Sequence, residues 1–168
     1  YNDVADYNIG DDVPFAFYSK VPDMSNYTSY NYVFEDRMDA GLTFNNDVTF
    51  KIGNKTLVKD TDYSVVTENL GDSCTFHVVI NDLKALAKAK QISAGAEIKV
   101  TFTAKLNTNA RIGNPGNVNE MKLKYSNNPN DNNSKGETPW DKVVVFTYEL
   151  DTTKVDGTDT TKVLKDAE

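Results

Sequence analysis

The sequence predicts an all-β protein, an antiparallel sandwich or barrel. Three observations predict it. Aromatic and β-branched residues fall in short runs that alternate with polar ones. The runs are numerous, and Gly, Asn and Asp clusters (IGDD, IGNK, ENLGDS, NARIGNPGN, SNNPNDNNSKGE) separate them. Period-two alternation places successive side chains on opposite faces of a strand, and turn residues between such runs indicate chain reversal.

The elements follow in order. VPFAFYSKV puts Val13, Phe15 and Phe17 on one face, and YNYVFEDRM does the same with Tyr30, Tyr32 and Phe34. DVTFKI alternates through Val48, Phe50 and Ile52, and CTFHVVI through Cys74, Phe76, Val78 and Ile80. In NDLKALAKAKQ the pattern changes to helical spacing at Leu83, Leu86, Ala87 and Lys90, with Asn81 or Asp82 placed to cap the start. AEIKVTFTAKL returns to alternation at Ile98, Val100, Phe102, Ala104 and Leu106, and NEMKLKY continues it at Met121, Leu123 and Tyr125. DKVVVFTYEL is apolar in both phases, as in a strand covered on both sides. After Leu150 the composition turns polar. Residues 1–150 are therefore expected to form one sandwich domain, and 151–168 a linker with the opening strand of a following domain.

Composition narrows the function classes. A chain of 168 residues can bury a core without disulfide staples. Its formal net charge of −7 disfavours general binding to nucleic acid phosphates. One cysteine, Cys74, allows no disulfide framework and no cysteine-based zinc site. One histidine, His77, would have to serve any serine–histidine–acid triad and most histidine metal sites. No stretch has the apolar length of a membrane span, so no membrane contact is expected. No cofactor is implied.

Two polar residues fall in apolar phases. Asp36 shares the phase of Tyr32 and Phe34, and Asn119 that of Met121 and Leu123. Asp36 is either a strand-end acceptor for turn amides or a buried acid. An unpartnered buried carboxylate takes up a proton or finds a partner. A buried acid beside a buried asparagine suggests one chemistry in particular. A desolvated lysine amine loses its charge and becomes a nucleophile. It can attack the asparagine carbonyl while the acid polarises it, releasing ammonia and leaving a Lys–Asn isopeptide bond. Lys51, Lys99, Lys105, Lys122 and Lys124 are in outward phases. Lys142, in phase with Val144 and Phe146, and Lys20, in phase with Ala16 and Tyr18, are the internal candidates, both near strand ends.

Five blocks in order, YNIGDDVPFAFYSKVP, FEDRMDAGLTFNNDVTF, VTFTAKLNTNA, NEMKLKYSNNPND and WDKVVVFTYELDTTKVDG, closely resemble the fimbrial isopeptide-formation domain of Gram-positive sortase-assembled pilus backbone subunits. The resemblance covers nearly the whole chain. It implies an immunoglobulin-like β-sandwich of the collagen-adhesin type with an autocatalytic Lys–Asn bond. It also implies Asp36 as the proton-shuttling acid and Asn119 as the isopeptide acceptor. Further implications are an extracellular, cell wall-anchored pilus, other pilin subunits joined covalently by sortase, and contact with host surface molecules. The resemblance places the lysine on a first strand ahead of the IGD block. There this chain has only YNDVADYN, so the lysine, and with it the first strand, is expected to be missing. The tail resembles the start of the next pilin domain, with Lys154 at the position of that domain's isopeptide lysine.

Other motifs carry less. WDKVVVFTY superficially resembles the pilin motif that sortase uses, without its lysine. NNPNDNNSKGE is rich in oxygen ligands but lacks the carboxylate spacing of a calcium loop, and reads as a solvated turn. His77 reads as a surface strand residue and Cys74 as a small buried hydrophobe. The competing functional reading is an adhesin or carbohydrate-binding module that uses the aromatics of SNYTSYNY. A turnover enzyme finds no triad to work with.

Overall fold

Two β-sheets face each other across a core of aromatic rings in the structure, a computed structural model that describes residues 2–4 and 7–148. The strands are β1 (Asn2–Val4), β2 (Asp12–Lys20), β3 (Tyr32–Met38), β4 (Leu42–Phe44), β5 (Thr49–Ile52), β6 (Lys55–Thr56) and β7 (Ser64–Val66). After β8 (Phe76–Ile80) comes the helix α1 (Leu83–Lys90), followed by β9 (Glu97–Leu106), β10 (Asn117–Ser126), β11 (Lys135–Glu137) and β12 (Asp141–Val145). One sheet runs β1-β12-β10-β3-β8-β7, with β11 also on β10. The other runs β2-β9-β5-β6, with β4 also on β9. Every pair of these strands is antiparallel except β1 with β12. This is the antiparallel sandwich with one short helix that the alternation predicts. Residues 151–168, Lys154 among them, lie outside the described residues.

The alternating runs supply the core. Val13, Phe15 and Phe17 of β2 face Tyr32 and Phe34 of β3, and Ile98, Val100, Phe102, Ala104 and Leu106 of β9 join them. Phe34 is at the centre, with ring centroids 5.1 Å from Phe17, 6.0 Å from Phe76 and 5.9 Å from Phe102. Each such ring, fully buried, contributes about 1.5–3 kcal/mol from the area it removes from water. These contacts hold the two sheets in register over β3, the strand that carries Asp36.

α1 begins where Asp82 accepts a hydrogen bond from the Ala85 amide, and it ends at Gln91 in the left-handed region. The Asp82 carboxylate also accepts from the Tyr30 amide, which ties the helix start to the entry of β3. Leu83 and Ala87 are its buried residues. β12 is covered on both sides from Val143 to Val145, as its sequence suggests. On its outer side the 109–117 loop closes over it: a Cβ added at Gly116 would meet the Val144 Cγ1 at 2.8 Å.

Ahead of the IGD block, where the resemblance places a first strand, Asn2–Val4 forms β1. It runs parallel to β12, with Asn2 opposite Val143 and Val4 opposite Val145.

Candidate functional site

Asp36 and Asn119 lie on the same inner face of neighbouring strands. In the antiparallel pairing of β3 with β10, Asp36 is opposite Met121 and Asn119 opposite Met38. The two polar residues are therefore diagonal neighbours, within side-chain reach. Both are 0% exposed. Among the described residues, the buried side-chain oxygen and nitrogen atoms without a hydrogen-bond partner are the two carboxyl oxygens of Asp36 and the two amide atoms of Asn119. Asp36 accepts no turn amide, so the strand-end alternative does not describe it.

Burial pushes the Asp36 carboxyl well above the usual carboxylate range. The Asn119 side chain lies close enough to offset part of that shift, without closing a hydrogen bond of good geometry. The charge of Glu120 adds to the rise. Burial thus favours the protonated acid, and a neutral carboxyl can donate a hydrogen bond to an amide oxygen.

Asn117 sharpens the contrast. It sits two residues earlier on β10, in the same phase and equally buried. Its amide oxygen accepts from the Arg111 amide at 2.9 Å, and its Nδ2 donates to the carbonyls of Arg111 at 3.0 Å and Val145 at 3.3 Å. Two buried asparagines on one strand thus have opposite roles: one is fully bonded and fastens a loop, the other has no partner. Sequence reasoning missed Asn117 because it began the apolar face at Asn119. The period-two signal extends one step further back.

The lysine candidates do not reach this pocket. Lys142 lies opposite Glu120 on the outer face of the sheet, 53% exposed, with its Nζ 3.6 Å from Glu120 Oε2. Its phase partner Val144 is buried on that outer side, beneath the loop, so sharing a phase with Val144 does not point Lys142 inward. Lys20 is exposed at the end of β2, opposite Glu97. Both expectations fail, and among the described residues no lysine is buried.

Residues 9–129 match the family described as "Gram-positive pilin backbone subunit 2, Cna-B-like domain". The chain belongs to that family. Similar solved structures include a 35 kDa C-terminal fragment of the major pilin GBS80 of Streptococcus agalactiae. It has a TM-score of 0.69 at 21% identity, over 88% of this chain and 52% of that one. The pilus backbone RrgB of Streptococcus pneumoniae is similar at a TM-score of 0.59 and 28% identity, over 75% of this chain and 45% of that one. ACE19, the collagen-binding subdomain of an Enterococcus faecalis surface protein, shares the fold at a TM-score of 0.53 and 14% identity, over 88% of this chain and 95% of that one. This pilin domain thus spans about half the length of the two pilin structures it matches. No curated protein sequence matches it significantly.

Other expectations are corrected. The aromatics of SNYTSYNY are not an exposed surface in this pilin domain. Tyr30 and Tyr32 are 6% and 1% exposed, and Tyr27 packs edge-on against Tyr30 at 5.0 Å. Cys74 is not a core hydrophobe. β8 begins at Phe76, so Cys74 lies in the preceding loop, outside the alternation, with its Sγ 4.0 Å from Glu35 Oε1 on the outer face. Burial and the nearby Asp72 and Glu35 carboxylates push its thiol up to about 12. His77 is on the same outer face, opposite Glu35, with a side chain only 14% exposed. Among the described residues, no helix is long and apolar enough to cross a membrane.

Proposed function

We propose that this pilin backbone domain is a load-bearing unit of a pilus shaft on a Gram-positive cell surface. In this reading a Lys–Asn isopeptide bond locks it, with Asn119 as acceptor and Asp36 as the acid. The observation that carries this reading is the pair of buried side chains whose four polar atoms have no hydrogen-bond partner. Leaving such groups unpaired costs about 1–3 kcal/mol each. A reacting lysine would engage all of them.

The reaction balances with these groups alone. A neutral lysine Nζ attacks Cγ of Asn119 while the protonated Asp36 donates a hydrogen bond to Oδ1. The new C–N bond forms, the Cγ–Nδ2 bond breaks, and Asp36 relays a proton from the attacking nitrogen to the departing one, which leaves as ammonia. Asp36 ends as it began, so each domain turns over once and no external reactant is needed. The apolar wall of Phe34, Met121 and Val143 keeps the amine uncharged.

The family resemblance puts the nucleophile on the first strand. β12 separates β10 from β1, so a lysine there must span two strand spacings, roughly 9.5 Å. An extended lysine and an asparagine side chain together bridge such a gap. The residues ahead of the IGD block contain no lysine, so the bond requires a polypeptide that carries one in line with β1. A strand joined to β10 by a covalent bond cannot be peeled away by tension, and the closed loop restricts the unfolded chain as a disulfide does. Sortase joins such subunits end to end outside the cell in this reading, and Lys154 serves the next domain in the same way.

The test is the intact mass of a polypeptide that carries such a lysine in line with β1. It should fall short of the sequence mass by one ammonia for this domain, and Asn119→Ala and Asp36→Ala should each restore the difference. A wild-type mass with no deficit sinks the cross-link at this site.

A further inference from the structure

The outer face of the same sheet holds a second group of side chains that the pilin reading does not use. Glu35 of β3, His77 of β8, and Asp72 and Cys74 of the loop before β8 each present one donor atom. These four atoms all lie within 4.8 Å of one another. His77 Nε2 is 2.9 Å from Asp72 Oδ2 and 3.7 Å from Glu35 Oε2, and Cys74 Sγ is 4.0 Å from Glu35 Oε1.

We propose that Glu35, Asp72, Cys74 and His77 form a tetrahedral site for a zinc-class divalent transition metal. The donor set of one thiolate, one imidazole and two carboxylates suits Zn2+ or Co2+, and is too soft for Ca2+ or Mg2+. Bonds of about 2.0–2.3 Å place tetrahedral ligand atoms roughly 3.3–3.8 Å apart, so the observed cluster closes on a metal with sub-ångström side-chain adjustment. A single cysteine excludes the all-cysteine sites, but not this mixed one.

Glu35 gives independent support. It is 5% exposed, yet its carboxylate makes no hydrogen bond to nitrogen or oxygen. Its contacts are the Cys74 thiol at 4.0 Å, His77 at 3.7 Å and the Lys122 ammonium at 3.7 Å. This buried carboxylate is aimed into the other three donors and lies in ion-pair range of His77 and Lys122, with no nitrogen or oxygen hydrogen bond fixing it elsewhere. Asp72 is already oriented: its Oδ1 accepts the Cys74 amide at 2.9 Å, which leaves Oδ2 toward His77. Lys122 does not block the site. It pairs with Glu137, and its Nζ lies 4.5 Å from the Trp140 ring centroid. Binding releases the Cys74 thiol proton to solvent, and the divalent ion with three anionic ligands carries a single negative charge that Lys122 balances. The metal would clip the loop before β8 to the central strands, directly behind Asp36.

Metal titration of the 168-residue chain tests this, independently of any cross-link, because no mass change is involved. One equivalent of Co2+ should produce a thiolate-to-metal charge-transfer band, which Zn2+ then removes by displacement, and Zn2+ should raise the melting temperature. Cys74→Ser should abolish the band. His77→Ala and Asp72→Asn, both close to the surface, should weaken Co2+ binding by about tenfold or more. No charge-transfer band, or an affinity unchanged in His77→Ala and Asp72→Asn, overturns the proposal.

Discussion

The unpaired acid at Asp36 should leave a measurable mark on the pH dependence of stability in the 168-residue chain. Its folded pKa is raised well above the ordinary 3.8 by burial. In the unfolded chain it titrates near that ordinary value. Below about pH 4 the group is protonated in both states and contributes no difference. Between there and the folded pKa the unfolded state has lost the proton and the native state retains it, so unfolding is favoured more as pH rises. The slope is about 1.4 kcal/mol per pH unit within that window. Above the folded pKa the penalty is complete and constant. Asp36→Asn keeps the shape and removes the titration. Its stability relative to wild type should therefore improve by about 1.4 kcal/mol for each pH unit from roughly pH 4.5 up to the folded pKa, and then stay level. Urea unfolding of both proteins at a series of pH values measures this, and the other carboxylates cancel in the difference. Parallel pH profiles for the two proteins refute the reasoning. So does a wild type that gains on the variant as pH rises, because that would mean Asp36 is held ionised by a partner.

The two buried asparagines should respond in opposite ways. Asn117→Ala strands the Arg111 amide and removes the ties to Arg111 and Val145, so unfolding by urea should show a loss of about 2–4 kcal/mol. Asn119→Ala removes two buried polar atoms that bond to nothing, and the small cavity it leaves offsets part of that relief, so in the same chain stability should hold or rise, by up to about 2 kcal/mol. Gly41→Ala should destabilise by about 1–3 kcal/mol in thermal unfolding, since the added Cβ would sit 2.4 Å from Asn117 Oδ1 and 2.7 Å from the Ala110 Cα. The paired Gly41→Ala, Asn117→Ala protein should recover part of the steric loss, which a glycine required only for backbone freedom would not show.

Alternation proved legible wherever a strand is long and one face is dry. β2, β3, β9 and β10 carry it over seven to ten residues, and their inward residues are those the period predicts. That is why Asp36 and Asn119 could be found as exceptions at all. A slip of one residue would turn Tyr32 and Phe34 of β3 outward, so register there is tightly specified. The same rule misplaced Cys74, because alternation is a property of paired backbone, and pairing on β8 starts at Phe76. It misplaced Lys142 because β12 is buried on both sides, and phase carries no inside or outside when both faces are covered. Alternation also puts Glu35 in the outward phase of β3, although it is 5% exposed. Outward of the sheet is not the same as solvent, and the loop and side chains that cover Glu35 come from segments the local sequence cannot place.

Adjacent residues of β3 therefore present opposite chemistries on the two sides of one strand. Asp36 enters an apolar pocket with no cation beside it among the described residues, and burial favours its neutral form. Glu35, one step away, faces the other side among Lys122, His77 and Cys74, where charge can be compensated. The sheet is a dielectric wall between them. On the inner side burial favours an uncharged carboxyl, and on the outer side the Glu35 carboxylate is paired with Lys122. Exchanging the two residues would place a carboxyl on each face as before, but would shift the register of neither strand. The difference between the sites therefore rests on their surroundings: a ring of Phe34, Met121 and Val143 on one side, and a cluster of polar donors on the other. A substitution that brings a permanent cation to the inner side, such as Met121→Arg, should ionise Asp36 and remove the pH-dependent penalty described above, because a guanidinium keeps its charge where a buried amine would lose it. Its effect on the Co2+ affinity of the outer cluster should be small, because the backbone of β3 separates the two.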